Sequence, residues 1–197
     1  MTLVSGHPCF PIFYGTFGTH DLIMENLGET DENGEFTSQT VHTMIRVTHD
    51  QCVAMSRQIC EGIVHLHDIN ILHNDIKQNN IVLKSSTVWP FFQVKIIDFG
   101  KSTLKSSPNV YCLSIEKMSI YNEKHRYLAH ELRNVRNTAQ SEATDCYSVG
   151  YVLRDIAMRE KFEFLRQLSE KMKTQKPQDR LDIPTALAQL RLFRKSQ

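Results

Sequence analysis

Residues 71–83, ILHNDIKQNNIVL, set His73, Asp75, Lys77 and Asn80 in the order H-x-D-x-K-x-x-N and run straight into Ile81, Val82 and Leu83. A second apolar run, QVKII, ends at Asp98-Phe99-Gly100. A carboxylate, an ammonium and an amide this close together, with a second carboxylate beyond, are the groups that phosphoryl transfer requires. One acid accepts the hydroxyl proton and a cation offsets charge on the moving group. The amide and the second acid hold a metal. Either motif alone is weak evidence, because D-F-G arises by chance. Together, in this order and separated by a strand-turn-strand pattern, they are strong.

The pair resembles the catalytic loop and the metal-binding loop of protein kinases. The resemblance implies an α+β chain with a protein-kinase-like fold, a mainly helical C-lobe carrying a remnant of the small N-lobe sheet. It implies that Asp75 accepts or orients the proton of the attacking hydroxyl and that Lys77 reaches the γ-phosphate. Asn80 and Asp98 would coordinate Mg, a hard cation that takes oxygen ligands. The D-x-K arrangement is closer to Ser/Thr kinases than to Tyr kinases. His73 is expected to pack under Phe99 in the family's internal hydrophobic spine rather than act as a base, and Gly100 closes the metal-binding motif.

Composition sets the outer limits. At 197 residues the chain suits one domain with a proper core, and 41% hydrophobic with 23% charged residues is the balance of a soluble globular protein. A formal net charge of +1 gives no bulk pull toward nucleic acid or anionic membrane. No apolar run approaches the roughly 20 residues that span a bilayer. MTLVSGHPCF lacks a basic region followed by an apolar stretch, so no signal peptide is expected. Five scattered cysteines without a C-x-x-C pattern point to free thiols in a cytoplasmic, reducing setting. His65 and His67 are two apart on a helix end and cannot share one face, which argues against zinc.

Upstream of the motif, HPCFPIFYGTF and HDLIMENLGE read as two short strands with turn residues between them. The resemblance makes residues 1–28 the last two strands of the small-lobe sheet and the hinge. Met24 would be the gatekeeper, the backbone of Glu25 and Leu27 would hydrogen-bond adenine, and Val82 would lie against the base from below. Residues 29–197 would then form the C-lobe. Within it, ETDENGEFTS (29–38) reads as an acidic loop. HDQCVAMSRQICEGIVHLHD carries a stripe of Val53, Ile59, Cys60, Ile63 and Leu66, with Asp50 as its expected cap.

Downstream, 98–131 corresponds to the family's activation segment, with Ser, Thr and Tyr residues as candidate phosphosites. It closes on YLAHEL, where Glu131 would pair with Arg180 as a structural salt bridge. The family's central helix falls at 145–159, with Asp145 bonding backbone near the catalytic loop and Val149, Val152, Leu153 and Ile156 buried. Its last two helices fall within 162–194, with Asp182 as a cap and Pro184 in a first turn. The stretch between the central helix and these two is short, which reduces the surface that docks substrates.

The departures from the family pattern matter. Position 74 is Asn where the family has Arg, and an amide cannot make a bidentate charged pair with phosphate. Loop phosphorylation is therefore not expected to be the on-switch. His130 stands where the family has Pro. No G-x-G-x-x-G and no V-A-I-K-like lysine precede Met24, parts that hold the nucleotide phosphates in line. The chain reads either as a fragment of a longer kinase or as a product that lacks most of the small lobe, and at most feeble activity is expected of it. The leading expectation is a catalytic domain that moves the γ-phosphate of ATP, with Mg, to Ser/Thr hydroxyls of a protein substrate. The other is a pseudokinase-like binding or scaffold module.

Overall fold

A computed structural model describes residues 4, 6–19, 21–30, 32–111, 125–134 and 137–193. The first elements are small hairpins. β1 (Phe13–Phe17) pairs antiparallel with β2 (Asp21–Met24), bringing Phe13 opposite Met24. The segment expected as an acidic loop instead forms a second hairpin, β3 (Glu29–Thr30) with β4 (Phe36–Thr37). The turn between them contains Asn33-Gly34, and Gly34 sits at φ 81°. Asn-Gly is a strong hairpin signal because such turns need positive φ.

α1 (His49–Asp68) buries Cys52, Val53, Ile59, Cys60, Ile63 and Leu66, the stripe legible in the sequence. Its cap is Thr48, not Asp50. The Thr48 side chain accepts from the Gln51 N–H at 3.2 Å while the Thr48 N–H donates to Gln51 Oε1 at 2.9 Å. This reciprocal pair satisfies two donors at once, and Asp50 falls inside the first turn, where its charge favours the helix dipole.

The chain then weaves two further antiparallel pairs around the signature loop. β5 (Ile71–Leu72) pairs with β8 (Thr103–Leu104), and β6 (Ile81–Ser85) pairs with β7 (Phe92–Ile96). β9 (Val110–Tyr111) pairs antiparallel with β10 (Thr138–Ala139), which follows the short α2 (His130–Asn134). The candidate phosphosites at 112–124 lie outside the described residues.

α3 (Glu142–Arg159) starts earlier than the sequence pattern suggests, because Ser141 and Thr144 form a second capping box. α4 (Glu163–Met172) follows after three residues, and α5 (Ile183–Leu192) is capped by Asp182, whose carboxylate accepts from the Thr185 N–H at 2.7 Å. Val149, Val152, Leu153 and Ile156 are fully buried on α3. α3 packs on α4, and α1 packs on α3, α5 and β7. Gly150 permits the first contact: a Cβ there would lie 2.8 Å from the Met172 Cβ. Gly62 does the same for β7, where a Cβ would lie 2.7 Å from Ile96 Cδ1. Cys9, Cys52, Cys60 and Cys146 are free and buried; burial pushes the Cys9, Cys52 and Cys146 thiols up to about 12. Among the described residues no helix is long and apolar enough to cross a membrane, and no cluster of three His, Cys, Asp or Glu could hold a metal.

Candidate active site

The signature loop is held from below by Asp145, in the first turn of α3. Its Oδ2 accepts from the His73 N–H at 2.8 Å and its Oδ1 from the Asn74 N–H at 2.9 Å. His67, from the last turn of α1, lies 3.1 Å from the same Oδ2. Asp145 is 1% exposed, so these bonds fix the loop backbone from a dry position. Position 74 adopts φ 66°, a left-handed conformation that Asn tolerates better than most residues. The Asn74 side chain donates to the Lys101 carbonyl at 3.0 Å and to Thr103 Oγ1 at 2.9 Å. It therefore ties the loop to the chain just after Asp98-Phe99-Gly100.

His73 is fully buried, and its ring lies 5.1 Å from the Phe99 ring between centroids. Nδ1 accepts from the Asp75 N–H at 3.3 Å, which leaves Nε2 to donate to the Ile97 carbonyl at 3.2 Å. Burial outweighs the neighbouring carboxylates and holds its pKa below 6.5. The ring is a neutral spacer between loop and strand.

Asp75 is 2% exposed and surrounded by donors. Lys77 Nζ lies 2.8 Å from Oδ2, with Asn80 Nδ2 at 3.3 Å from the same oxygen. Lys101 Nζ lies 2.9 Å from Oδ1, and the Tyr127 hydroxyl donates to that oxygen at 2.8 Å. Burial pushes the Asp75 carboxyl up, but the bonds from Lys77, Lys101 and Tyr127 outweigh it and bring its pKa down to about 2. Asn80 also donates to the Asp75 carbonyl at 2.9 Å, and its Nδ2 stands 3.4 Å from Asp98 Oδ2. Asp98 is exposed at φ 67°, and its Oδ1 accepts from the Gly100 N–H at 3.3 Å.

Thus Asp75, Lys77, Asn80 and Asp98 meet in one place. An exposed carboxylate beside an amide is an oxygen donor set suited to Mg, which binds through one or two protein ligands and takes the rest from phosphates and water.

The residues expected at the hinge and under the base have other partners. Met24 ends β2 and is 40% exposed, whereas Val82 on β6 is buried and bridges to Thr40. The Glu25 N–H donates to the Ile12 carbonyl at 2.8 Å, so that group is already used. Its side chain does something the sequence did not announce: Oε1 binds Lys84 at 2.6 Å and Oε2 binds Lys95 at 2.9 Å. Burial pushes the Glu25 carboxyl up, and the two lysines and the Ile12 N–H bring it down to about 2. Leu27 lines a cavity of about 340 Å³ with Gly28, Thr37, Gln39, Leu83 and Lys84. Neither Asp75, Asn80 nor Asp98 reaches it.

Glu131 and Arg180 join in a two-pronged pair, Nη1 to Oε1 at 2.8 Å and Nη2 to Oε2 at 3.0 Å. Arg180 also donates to the carbonyls of Ala143, Thr174 and Gln175, which accounts for its burial. His130 interposes no break, and its Nε2 lies 3.1 Å from Gln175 Nε2. The two contacts that spacing did not reveal are Lys101 and Tyr127. Lys101 directly follows Gly100, and Tyr127 opens the YLAHEL run, so adjacency to a motif was the only signal for either.

The protein kinase domain family model matches residues 4–190, and the chain belongs to that family. It is similar to myosin light chain kinase 3 of Danio rerio, 35% identical over 131 residues, which make 66% of this chain and 16% of that protein. Myosin light chain kinase 2, skeletal/cardiac muscle, is 31% identical in Rattus norvegicus over 134 residues, and 30% identical in Homo sapiens over 133. Each of these two alignments takes in 68% of this chain and 20% of the relative. The chain is therefore an α+β protein kinase domain that spans a fifth or less of the length of these relatives.

Proposed function

We propose that this chain carries the catalytic centre of a protein kinase that transfers the γ-phosphate of ATP to Ser/Thr hydroxyls of a protein substrate. The observation that carries the reading is the convergence of Lys77 and Asn80 on Asp75 with Asp98 beside them, 3.4 Å from Asn80. A scaffold has no physical need to keep all four groups in register, which weighs against the pseudokinase-like alternative. Asp75 orients the acceptor hydroxyl. With a pKa of about 2 it is a poor ground-state base, so it receives the proton only as the hydroxyl oxygen loses electron density to phosphorus. Lys77 offsets charge on the transferred group. Asn80 and Asp98 would hold Mg, which supplies charge neutralisation on the phosphate oxygens when bound.

For the nucleotide base, Met24 provides the back wall and the carbonyl of Glu25 and the backbone of Leu27 the polar edge; Val82, expected as the floor, is 2% exposed and offers the base no open face. The domains read as 1–28, small-lobe strands with the hinge, and 29–197, the helical lobe. The free, buried thiols support a cytoplasmic setting, and the formal charge of +1 supports a protein rather than a nucleic-acid partner.

Mg-ATP binding to the purified chain, read by calorimetry and thermal shift, tests this. A ligand that binds only the folded state raises the melting temperature with concentration. Binding that is abolished by Asp98→Ala supports the reading; no binding, or binding indifferent to Asp98→Ala, rejects it.

A further inference from the structure

We infer that Tyr127 is an internal stand-in for the acceptor hydroxyl, and that a substrate reaches Asp75 only by displacing it. The inference deepens the reading above and rests on Asp75 being the group that receives the acceptor.

The argument begins with lone pairs. An ionised carboxylate offers about four acceptor positions. Asp75 has four side-chain donors around it: Lys77 and Asn80 on Oδ2, Lys101 and Tyr127 on Oδ1. At 2% exposure no water-facing side of the carboxylate is left over. A substrate hydroxyl therefore needs one of the four to leave.

Chemistry selects which. Lys77 and Asn80 belong to the phosphate and metal side of the site. Lys101 is a cation, and moving it would leave the Asp75 carboxylate with Lys77 as the remaining ion-pair partner among the described residues. Tyr127 is neutral. It donates a hydroxyl, as a Ser or Thr acceptor does, so exchanging one for the other leaves both the hydrogen-bond count and the local charge unchanged.

The tyrosine is also placed as an occupant would be. Its backbone is held independently of its hydroxyl, because Ser148 Oγ donates to the Tyr127 carbonyl at 2.8 Å and Leu128 and Ala129 next to it are buried. Its ring is 8% exposed and sits 5.9 Å from the Lys77 ammonium, between two of the groups that would face the transferred phosphate. The hydroxyl also lies 3.3 Å from His125 Nδ1. An acceptor that bonds Asp75 Oδ1 competes there with the Tyr127 hydroxyl.

The test compares the chain with Tyr127→Phe, which keeps the ring and loses the hydroxyl, and with Tyr127→Ala, which loses both; thermal melts establish that each is folded. Mg-ATP affinity is measured by calorimetry on all three, and phosphorylation of an equimolar library of serine- and threonine-centred peptides is followed at low peptide concentration, where the rate reports kcat/KM. One charge-assisted hydrogen bond corresponds to a gain on the order of tenfold in kcat/KM for Tyr127→Phe, carried by KM, with ATP affinity unchanged. A rate that is unchanged or lower while ATP still binds overturns the inference, because the hydroxyl then supports Asp75 instead of occupying it. ATP binding without peptide turnover in any of the three overturns it as well, since emptying the position has not opened the site. Failure of all three to bind ATP is a different result: the catalytic reading itself falls, and this inference with it.

Discussion

At Asp75 a single carboxylate carries two opposing demands: burial disfavours its charge, and the bonds from Lys77, Lys101 and Tyr127 restore it. Asp75→Asn keeps the shape but removes the negative charge and the group that takes up the proton. Phosphorylation of peptide is expected to fall by about 10²–10⁴-fold, the range of a lost general acid–base group, with Mg-ATP affinity retained. Equal loss of affinity and rate would show that Asp75 only shapes the pocket. Asn74 makes the neighbouring case. Its amide spans from the loop to the Lys101 carbonyl and Thr103 Oγ1 without any charge, so position 74 itself offers no cation to a phosphate. Phosphatase treatment is expected to leave activity unchanged, and Asn74→Arg to make activity respond to it; a phosphate-dependent rate in the unaltered chain contradicts this. The motif residues were legible because their chemistry recurs at fixed spacing. Lys101 and Tyr127 were not, since they reach Asp75 from 26 and 52 residues away and no local pattern encodes where a loop returns.

At the scale of elements, the helices were legible and their ends were not. Apolar stripes on α1 and α3 follow from the 3.6-residue period, which burial enforces over many turns. Caps depend on one or two side chains, and Thr48 with Gln51 outcompetes Asp50 because the pair satisfies two backbone donors where one carboxylate satisfies one. The β3–β4 hairpin was hidden by its acidic composition, although Asn33-Gly34 carried the turn. What joins hinge to sheet is the Glu25 cluster. Lys95 is 4% exposed, and its ammonium has Glu25 and the Phe10 carbonyl as partners. Glu25→Ala strips that buried ammonium of its counter-charge and is expected to cost about 3 kcal/mol. Lys95→Met leaves Glu25 still paired with the half-exposed Lys84, and the cost should be clearly smaller. Urea denaturation of both variants measures the difference; equal costs would mean the pair acts by packing alone.

Over the whole molecule these groups set how stability responds to acid. Asp75 and Glu25 each titrate near 2 in the folded chain, against ordinary values of 3.8 and 4.5. The unfolded chain therefore holds more protons between those limits, so stability rises with pH there. The contribution is present above the ordinary values and is lost as pH falls through them toward 2. His73 adds in the same sense. Burial lowers its folded pKa below 6.5, so protonation of the unfolded chain begins to favour unfolding once pH drops under that value. Glu163 is also brought to about 2 by Arg166 and Gln167, but it is fully exposed, and solvent screening leaves such a pair with little effect on stability. Urea midpoints are thus expected to decline gently below pH 6.5 and steeply below 4.5. Asp75→Asn should flatten the lower part of that curve, whereas Glu163→Gln should leave it where it is. A steep lower limb that survives Asp75→Asn and Glu25→Gln together would assign the acid sensitivity to other carboxylates and remove the two buried clusters from the account.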